Sequence, residues 1–159
     1  PGTIEPPCFL PPVNGMYARS VAAAEEPAPL TLSIADTSRF REGRITVRFR
    51  NEGNEPVRIP DEINDETADY FFVTVLRTER GDVRILNREI GTMTFQRPLN
   101  YRELAPGQEY SVTIPVCLDE VDLEGWKQCS CELETRYYNQ QGKDCFLGVL
   151  RATARLTLQ

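Results

Sequence analysis

Residues 44–50 read RITVRFR, and this stretch decides the fold. Ile45, Val47 and Phe49 alternate with threonine and arginine, which is the pattern of a strand that buries one face and exposes the other. Similar apolar segments recur along the chain between turn residues. The sequence therefore predicts an all-β protein, an antiparallel β-sandwich of about seven to nine strands. The other predicted strands lie within 30–35, 56–59, 70–76, 83–86, 110–116, 132–138 and 150–158.

The same alternation predicts which side chains form the core. Nearly every residue of the run 70–76 is apolar. We assign Phe71, Val73 and Val75 of this run to the inward face. The turn at 51–55 is expected to close a hairpin, with its glycine at positive φ. The expected core consists of Ile45, Val47, Phe49, Val57, Phe71, Val73, Val75, Tyr110, Val112, Ile114, Leu133, Tyr137, Leu150, Leu156 and Leu158.

The N-terminal part of the chain differs in composition from the rest. Residues 1–29 hold seven of the twelve prolines, which cannot donate the backbone hydrogen bonds of a regular ladder. We therefore expect an extended proline-rich arm or linker over 1–29 and a single domain over 30–159. The chain begins without methionine, so we also expect that a tag or a cleaved export signal preceded Pro1.

Turn and core positions of residues 44–158 resemble those of the immunoglobulin-like accessory domains of secreted bacterial proteins. The resemblance is carried by residues 47–57, VRFRNEGNEPV, and by the apolar strand at 70–76. It continues in the turn at 104–110, LAPGQEY, and in Val121-Asp122-Leu123. The layout is similar to the non-catalytic domain attached to some secreted metallopeptidases and, more loosely, to small β-sandwich proteinase inhibitors.

This resemblance implies a class of function by analogy of fold. The implied protein is a periplasmic or secreted, non-catalytic interaction or accessory module that binds a protein partner, an inhibitor being one form of it. A bacterial lipoprotein with a lipid anchor upstream of Pro1 is compatible with that location. The resemblance places no catalytic residue, metal ligand or cofactor in this sequence.

Composition and charge argue against several other classes of protein. The chain contains no histidine, so histidine-based nucleophile systems, acid–base relays and histidine-ligated zinc sites are excluded. A net charge of −6 argues against a nucleic-acid partner, which requires a basic surface. No stretch approaches the roughly 20 apolar residues that cross a bilayer as a helix. We therefore expect a protein that is not an enzyme, does not bind nucleic acid and does not span a membrane.

Five cysteines allow more than one interpretation. In an exported protein the expected state is the disulfide. We expect one bridge from Cys117 to Cys129 or Cys131, because the connecting loop has few apolar residues to hold it, and a second bridge using Cys145 or Cys8. A four-thiolate zinc site is one alternative, although the spacing lacks the usual pairs. Buried thiols in a cytosolic protein are the other.

Two acidic stretches, 61–69 and 119–124, raise the question of calcium binding. A calcium loop needs six to eight oxygen ligands and a glycine at its sharp turn. Neither stretch has glycine at the required place. The pattern favours solvated loops, and we assign no metal ligand.

Arginine accounts for sixteen of the eighteen basic residues. Several arginines fall in register on outward strand faces, among them Arg151 and Arg155 near the C-terminus. Glu132 and Glu134 are expected on a facing strand, so cross-strand ion pairs explain part of the pattern. A patch that binds an anionic partner is the alternative.

A second function from a different class is a small-molecule or carbohydrate-binding sandwich. Tyr70, Trp126, Tyr137 and Tyr138 would be its ligand-stacking residues. Two of these aromatics exposed on one flat face would favour this function. An exposed, unpaired edge strand with apolar loops would instead favour binding of a protein partner.

Overall fold

The computed structural model describes residues 29–61, 63–88, 100–139 and 145–159. These residues form nine strands and two single helical turns, so the all-β prediction is confirmed. None of the helices within these ranges is long and apolar enough to cross a bilayer. The strands are β1 Leu30–Asp36, β2 Arg44–Asn51, β3 Val57–Pro60, β4 Phe72–Thr78, β5 Val83–Ile85, β6 Tyr101–Leu104, β7 Glu109–Pro115, β8 Ser130–Asn139 and β9 Gly148–Thr157. The helical turns are a 3-10 turn at Phe40–Glu42 and α1 at Ala68–Phe71.

Two antiparallel sheets face each other across one core. The strand orders are β1-β2-β7 in one sheet and β5-β4-β8-β9 in the other, and β3 and β6 form a separate two-stranded ribbon. The sheets meet at their central strands, where the rings of Phe49 on β2 and Tyr137 on β8 lie edge to face with centroids 5.0 Å apart. The predicted antiparallel sandwich is therefore the observed architecture. The proposed arm lies almost wholly outside the described residues, so the division at residue 29 stays a prediction.

Most of the expected core residues lie inside the sandwich. On β2 the inward side chains Ile45, Val47 and Phe49 are almost completely buried. Their outward neighbours are threonine and arginine, because successive side chains of a strand point to opposite faces. Four further expected residues are only partly buried and pack against the core: Val57, Tyr110, Val112 and Leu156.

The prediction for β4 was wrong by one residue. The helical turn α1 ends at Phe71, and the strand begins only at Phe72. The inward side chains of the strand are therefore Phe72, Thr74 and Leu76, whereas Val73 and Val75 point outward and are partly exposed. Phe71 is buried as predicted, but it lies in the helical turn. A shift of one residue moves every side chain of a strand to the other face of its sheet.

The predicted hairpin at residues 51–55 is also absent, because β3 pairs with β6 and not with β2. Asn51 directs the chain away from the sheet. Its side-chain Nδ2 donates to the carbonyl oxygens of Glu55 at 2.8 Å and Leu104 at 2.9 Å. Its Oδ1 accepts from the backbone N–H of Gly53 at 2.9 Å. The positive φ expected at Gly53 is not observed.

Candidate interaction surface

The outer face of the β5-β4-β8-β9 sheet combines aliphatic and charged side chains, and we call it the arginine face. Directly opposite residues of neighbouring strands share one side of a sheet, so these side chains form rows across the strands. The aliphatic part lies on β4 and β5 and consists of Val73, Val75, Val83 and Ile85. The charged part consists of Arg77, Glu132, Glu134, Arg136, Arg151 and Arg155.

The aliphatic part is exposed at the edge of the sheet. Val83 and Ile85 on β5 retain 50% and 47% of their accessible surface, although both are large aliphatic residues. Ile85 lies directly opposite Val75, so apolar surface continues from β5 onto β4. Contiguous apolar surface beside polar residues is typical of sites that bind another protein.

Glu134 is the centre of the charged part. Its side chain is only 2% exposed although it points outward, because three arginines cover it. Arg77 Nη1 donates to Oε1 at 2.7 Å, and Arg136 Nε donates to Oε2 at 2.8 Å. Arg151 Nε lies 2.5 Å from the same Oε2. One buried carboxylate thus joins β4, β8 and β9.

The arginines keep Glu134 ionised in spite of its burial. Burial alone would raise the pKa of Glu134, but hydrogen bonds from Arg136 and Arg77 and the charges of Arg136 and Arg151 together lower it below its ordinary value. The reverse holds for Arg136: burial opposes its charge, whereas the hydrogen bond and the charge of Glu134 raise its pKa. Glu134 and Arg136 are therefore both charged at neutral pH.

Positive charge remains in excess on this face. The charged part contains four arginines and two glutamates, which give it a formal net charge of +2 on a chain whose net charge is −6. Arg77 lies 3.9 Å from Glu132 as well as against Glu134, so the two acids share this one arginine. The predicted cross-strand ion pair between β8 and β9 is confirmed by Arg151 and Glu134.

The outer face of the β1-β2-β7 sheet is arranged differently. Arg50 lies 3.1 Å from Glu52 and 3.0 Å from Glu109, and Arg48 lies 3.9 Å from the same Glu109. Arg44 forms two hydrogen bonds to Asp65, at 2.7 and 2.6 Å. This face therefore keeps no excess of arginine over acid.

The predicted disulfide between Cys117 and the segment 129–131 is not formed. No disulfide joins the four cysteines of the described residues to one another, and Cys8 lies outside those residues. Cys129 and Cys131 are buried thiols, and burial raises the pKa of Cys131. The loop that was expected to need a bridge instead buries the side chains of two residues, Val121 and Trp126.

The four aromatics proposed for ligand stacking do not lie together on a surface. Tyr137 is completely buried and packs between Phe49, Phe71 and Phe72. Trp126 is 7% exposed. Tyr70 is partly buried and packs against the core, and Tyr138 points outward beside Arg136. These positions do not provide the flat aromatic face that carbohydrate binding was expected to use.

A pocket of about 360 Å³ lies beside the β3-β6 ribbon. Arg58, Glu103 and Cys145 contribute to its lining. Asn139 Nδ2 donates to the Cys145 sulfur at 3.7 Å. Burial, and then a hydrogen bond with Cys145, raise the pKa of Tyr101, so its hydroxyl is protonated at neutral pH.

The proposed calcium and zinc sites find no support in the described ranges. Within them, no three side chains of cysteine, aspartate or glutamate gather closely enough to hold a metal ion. In the first acidic stretch Asp65 is instead paired with Arg44.

No protein-family model matches the chain, and no curated protein is significantly similar to it. The class defined by structure alone is thus an antiparallel β-sandwich with an arginine-rich outer face.

Proposed function

We propose that this protein is a non-catalytic interaction module that binds a protein partner through the arginine face. The observation that carries the proposal is the exposure of Val83 and Ile85 at the edge of a sheet, beside an excess of arginine. Exposed apolar edge strands pair readily with other chains, and proteins usually protect them with charge or cover. Aliphatic anchors with arginine around them are the composition that protein interfaces favour.

The strand orders support a finer proposal, that the module is an immunoglobulin-like accessory domain. In such sandwiches the chain crosses more than once between the two sheets, and here β2 and β4 lie in opposite sheets, as do β7 and β8. The resemblance of residues 47–57 to domains of secreted bacterial proteins adds a periplasmic or secreted location to the proposal. A chain without histidine also favours binding over catalysis.

The test compares two double variants in capture of a partner from an extract of cells that make the protein. Val83→Asp with Ile85→Asp places charge on the aliphatic part of the arginine face. We expect the partner bound by the unchanged protein to be recovered at least about tenfold less with this variant, since a buried unpaired carboxylate costs several kcal/mol. Quantitative mass spectrometry measures the recovery.

The matched control is Ser33→Asp with Ser111→Asp, on the outer face of the β1-β2-β7 sheet. Both serines are exposed and lie on strands, so the control adds the same two charges to an outer sheet face. Thermal unfolding of both variants checks that each still folds. If the first variant still recovers the partner and the control does not, the interface lies on the outer face of the β1-β2-β7 sheet. Recovery of no partner by the unchanged protein would reject the proposal.

A further inference from the structure

Arg136 and Arg151 use only part of their hydrogen-bonding capacity on Glu134. The two arginines lie directly opposite each other on β8 and β9, and both bring Nε to the same carboxylate oxygen. A guanidinium has five N–H donors in one plane. Tyr138 takes a further donor of Arg136. Side-chain exposures of 37% and 64% put donors of Arg136 and Arg151 within reach of a molecule on the surface.

The excess of positive charge around Glu134 favours the binding of a second anion. Like charges directly opposite each other on neighbouring strands repel. Glu134 supplies one negative charge for Arg136, Arg151 and Arg77 together. An additional carboxylate near Arg136 and Arg151 would therefore lower the electrostatic free energy of the face.

The site is also pre-organised for binding. The buried carboxylate of Glu134 holds both guanidinium groups in place before any ligand arrives. Pre-ordered side chains lose less conformational entropy on binding. Arg50 on the other face offers a contrast, because its Nε and Nη1 already contact Glu52 and Glu109.

We propose that Arg136 and Arg151 bind the carboxylate of an acidic side chain in an extended segment of the protein partner. The inference rests on the proposed function and names the chemistry of its partner. The planar fork of a guanidinium matches a carboxylate, which it can hold through two parallel hydrogen bonds.

The row that contains the two arginines fits an extended segment. Val73 lies directly opposite Arg136 on β4, and Arg136 lies opposite Arg151. With strands about 4.8 Å apart, the midpoint between the arginines is roughly 7 Å from Val73. That distance equals the spacing of residues i and i+2 in an extended chain, about 7 Å. A segment that crosses the strands can thus place an apolar residue on Val73 and an acidic residue between the arginines.

The test follows the Nε–Hε signals of individual arginines by NMR while a peptide is added. The probe is acetyl-Thr-Val-Thr-Glu-Thr-amide, which has an apolar and an acidic residue two positions apart. Its twin carries glutamine in place of glutamate, and inorganic phosphate is a third probe. We expect saturable shifts of Arg136 and Arg151 with the glutamate peptide and an affinity at least about tenfold weaker for the twin.

Variants localise the effect to this site. Arg151→Gln should weaken binding of the glutamate peptide about tenfold or more, as should Arg136→Lys, which keeps the charge but loses the fork. Arg50→Gln is the matched control and should leave the affinity unchanged. Equal shifts of all arginines, or none at Arg136 and Arg151, would overturn the proposal. Tighter binding of phosphate than of the peptide would overturn the choice of a carboxylate.

Failure of this inference can be told apart from failure of the proposed function. A partner whose capture depends on Val83 and Ile85, together with unresponsive Arg136 and Arg151, would retain the interaction module and reject the carboxylate site. Binding of the glutamate peptide without any captured partner would reject the proposed function and leave a site for carboxylates alone.

Discussion

The two outer faces of the sandwich carry similar side chains in different balance. On the β1-β2-β7 face the arginines Arg44, Arg48 and Arg50 are matched by three acids, Asp65, Glu52 and Glu109, and the hydroxyl groups of Thr46 and Thr113 lie 3.0 Å apart beside them. The arginine face has four arginines and only two glutamates, and aliphatic side chains lie beside them. The first face is polar and neutralised, whereas the second keeps positive charge and apolar surface.

The comparison shows that an outward arginine on a strand does not by itself indicate a binding surface. Both faces obey the same alternation, so the difference arises from the acids on the neighbouring strands and from the residues that fill each row. Exposed ion pairs of the kind at Arg50 add little to stability. A buried carboxylate such as that of Glu134 ties three strands together and requires that its arginines stay in place.

The largest effect should come from a test of which residues of β4 face outward. We expect Leu76→Ala to lower the free energy of unfolding by about 3 kcal/mol, because truncation of a fully buried leucine leaves a cavity. Val75→Ala should cost less than about 1 kcal/mol, since Val75 points outward and is only partly buried on the arginine face. Urea denaturation measures both. Equal losses would return Val75 to the core and remove part of the aliphatic surface.

The phase of β4 shows where sequence reasoning stops. Along most of β2, β8 and β9 apolar residues alternate with polar ones, so their inward faces were predictable even though β8 has a buried threonine, Thr135. The run 70–76 is almost entirely apolar, and the prediction placed its one threonine, Thr74, on the outward face. In the structure Thr74 is buried and its hydroxyl lies 3.2 Å from that of Thr135. A hydrogen bond to the neighbouring strand thus satisfies a polar side chain inside the core, which its polarity did not indicate.

The candidate surface was predictable only in part. Outward arginines on β9 and outward acids on β8 follow from alternation, and their pairing was expected. The burial of Glu134 was not, because its arginines come from three strands and meet only through the register of β4, β8 and β9. Val73 and Val75 were missing from the predicted surface, because the inward face of β4 was predicted one residue out of phase and they were assigned to the core.

A second prediction separates the two faces by the role of their acids. Glu134→Gln should lower the free energy of unfolding by about 2 kcal/mol, since it removes charge-assisted hydrogen bonds from a buried site. Glu109→Gln, the matched control on the other face, should cost much less because its partners are exposed. Urea denaturation at pH 7 checks both variants. A loss at Glu109 as large as that at Glu134 would remove the distinction.

The contribution of Glu134 should also depend on pH. Its pKa is lowered in the folded protein, so its stabilising effect is complete above the ordinary value of 4.5 and is lost as the pH falls through the folded value. The difference in stability between the unchanged protein and Glu134→Gln should therefore shrink on acidification below about pH 4.5. Asp36 and Asp65 also have lowered pKa values, but they are present in both proteins and cancel. A difference independent of pH down to 3 would contradict the assignment.

The smallest effect concerns salt, and it is measured by two double-mutant cycles. One cycle removes Arg50 and Glu109, and the other removes Arg77 and Glu134. Raising sodium chloride from about 0.05 to 0.5 M shortens the screening length to roughly 4 Å and should remove about half or more of the coupling free energy of the exposed first pair. The second pair should keep most of its coupling, because Glu134 is only 2% exposed and dissolved ions do not reach it. If both couplings fell in the same proportion, Glu134 would have to be open to solvent ions. The arginine face would then carry an ordinary surface ion pair, and the rigid arrangement of Arg136 and Arg151 would lose its physical basis.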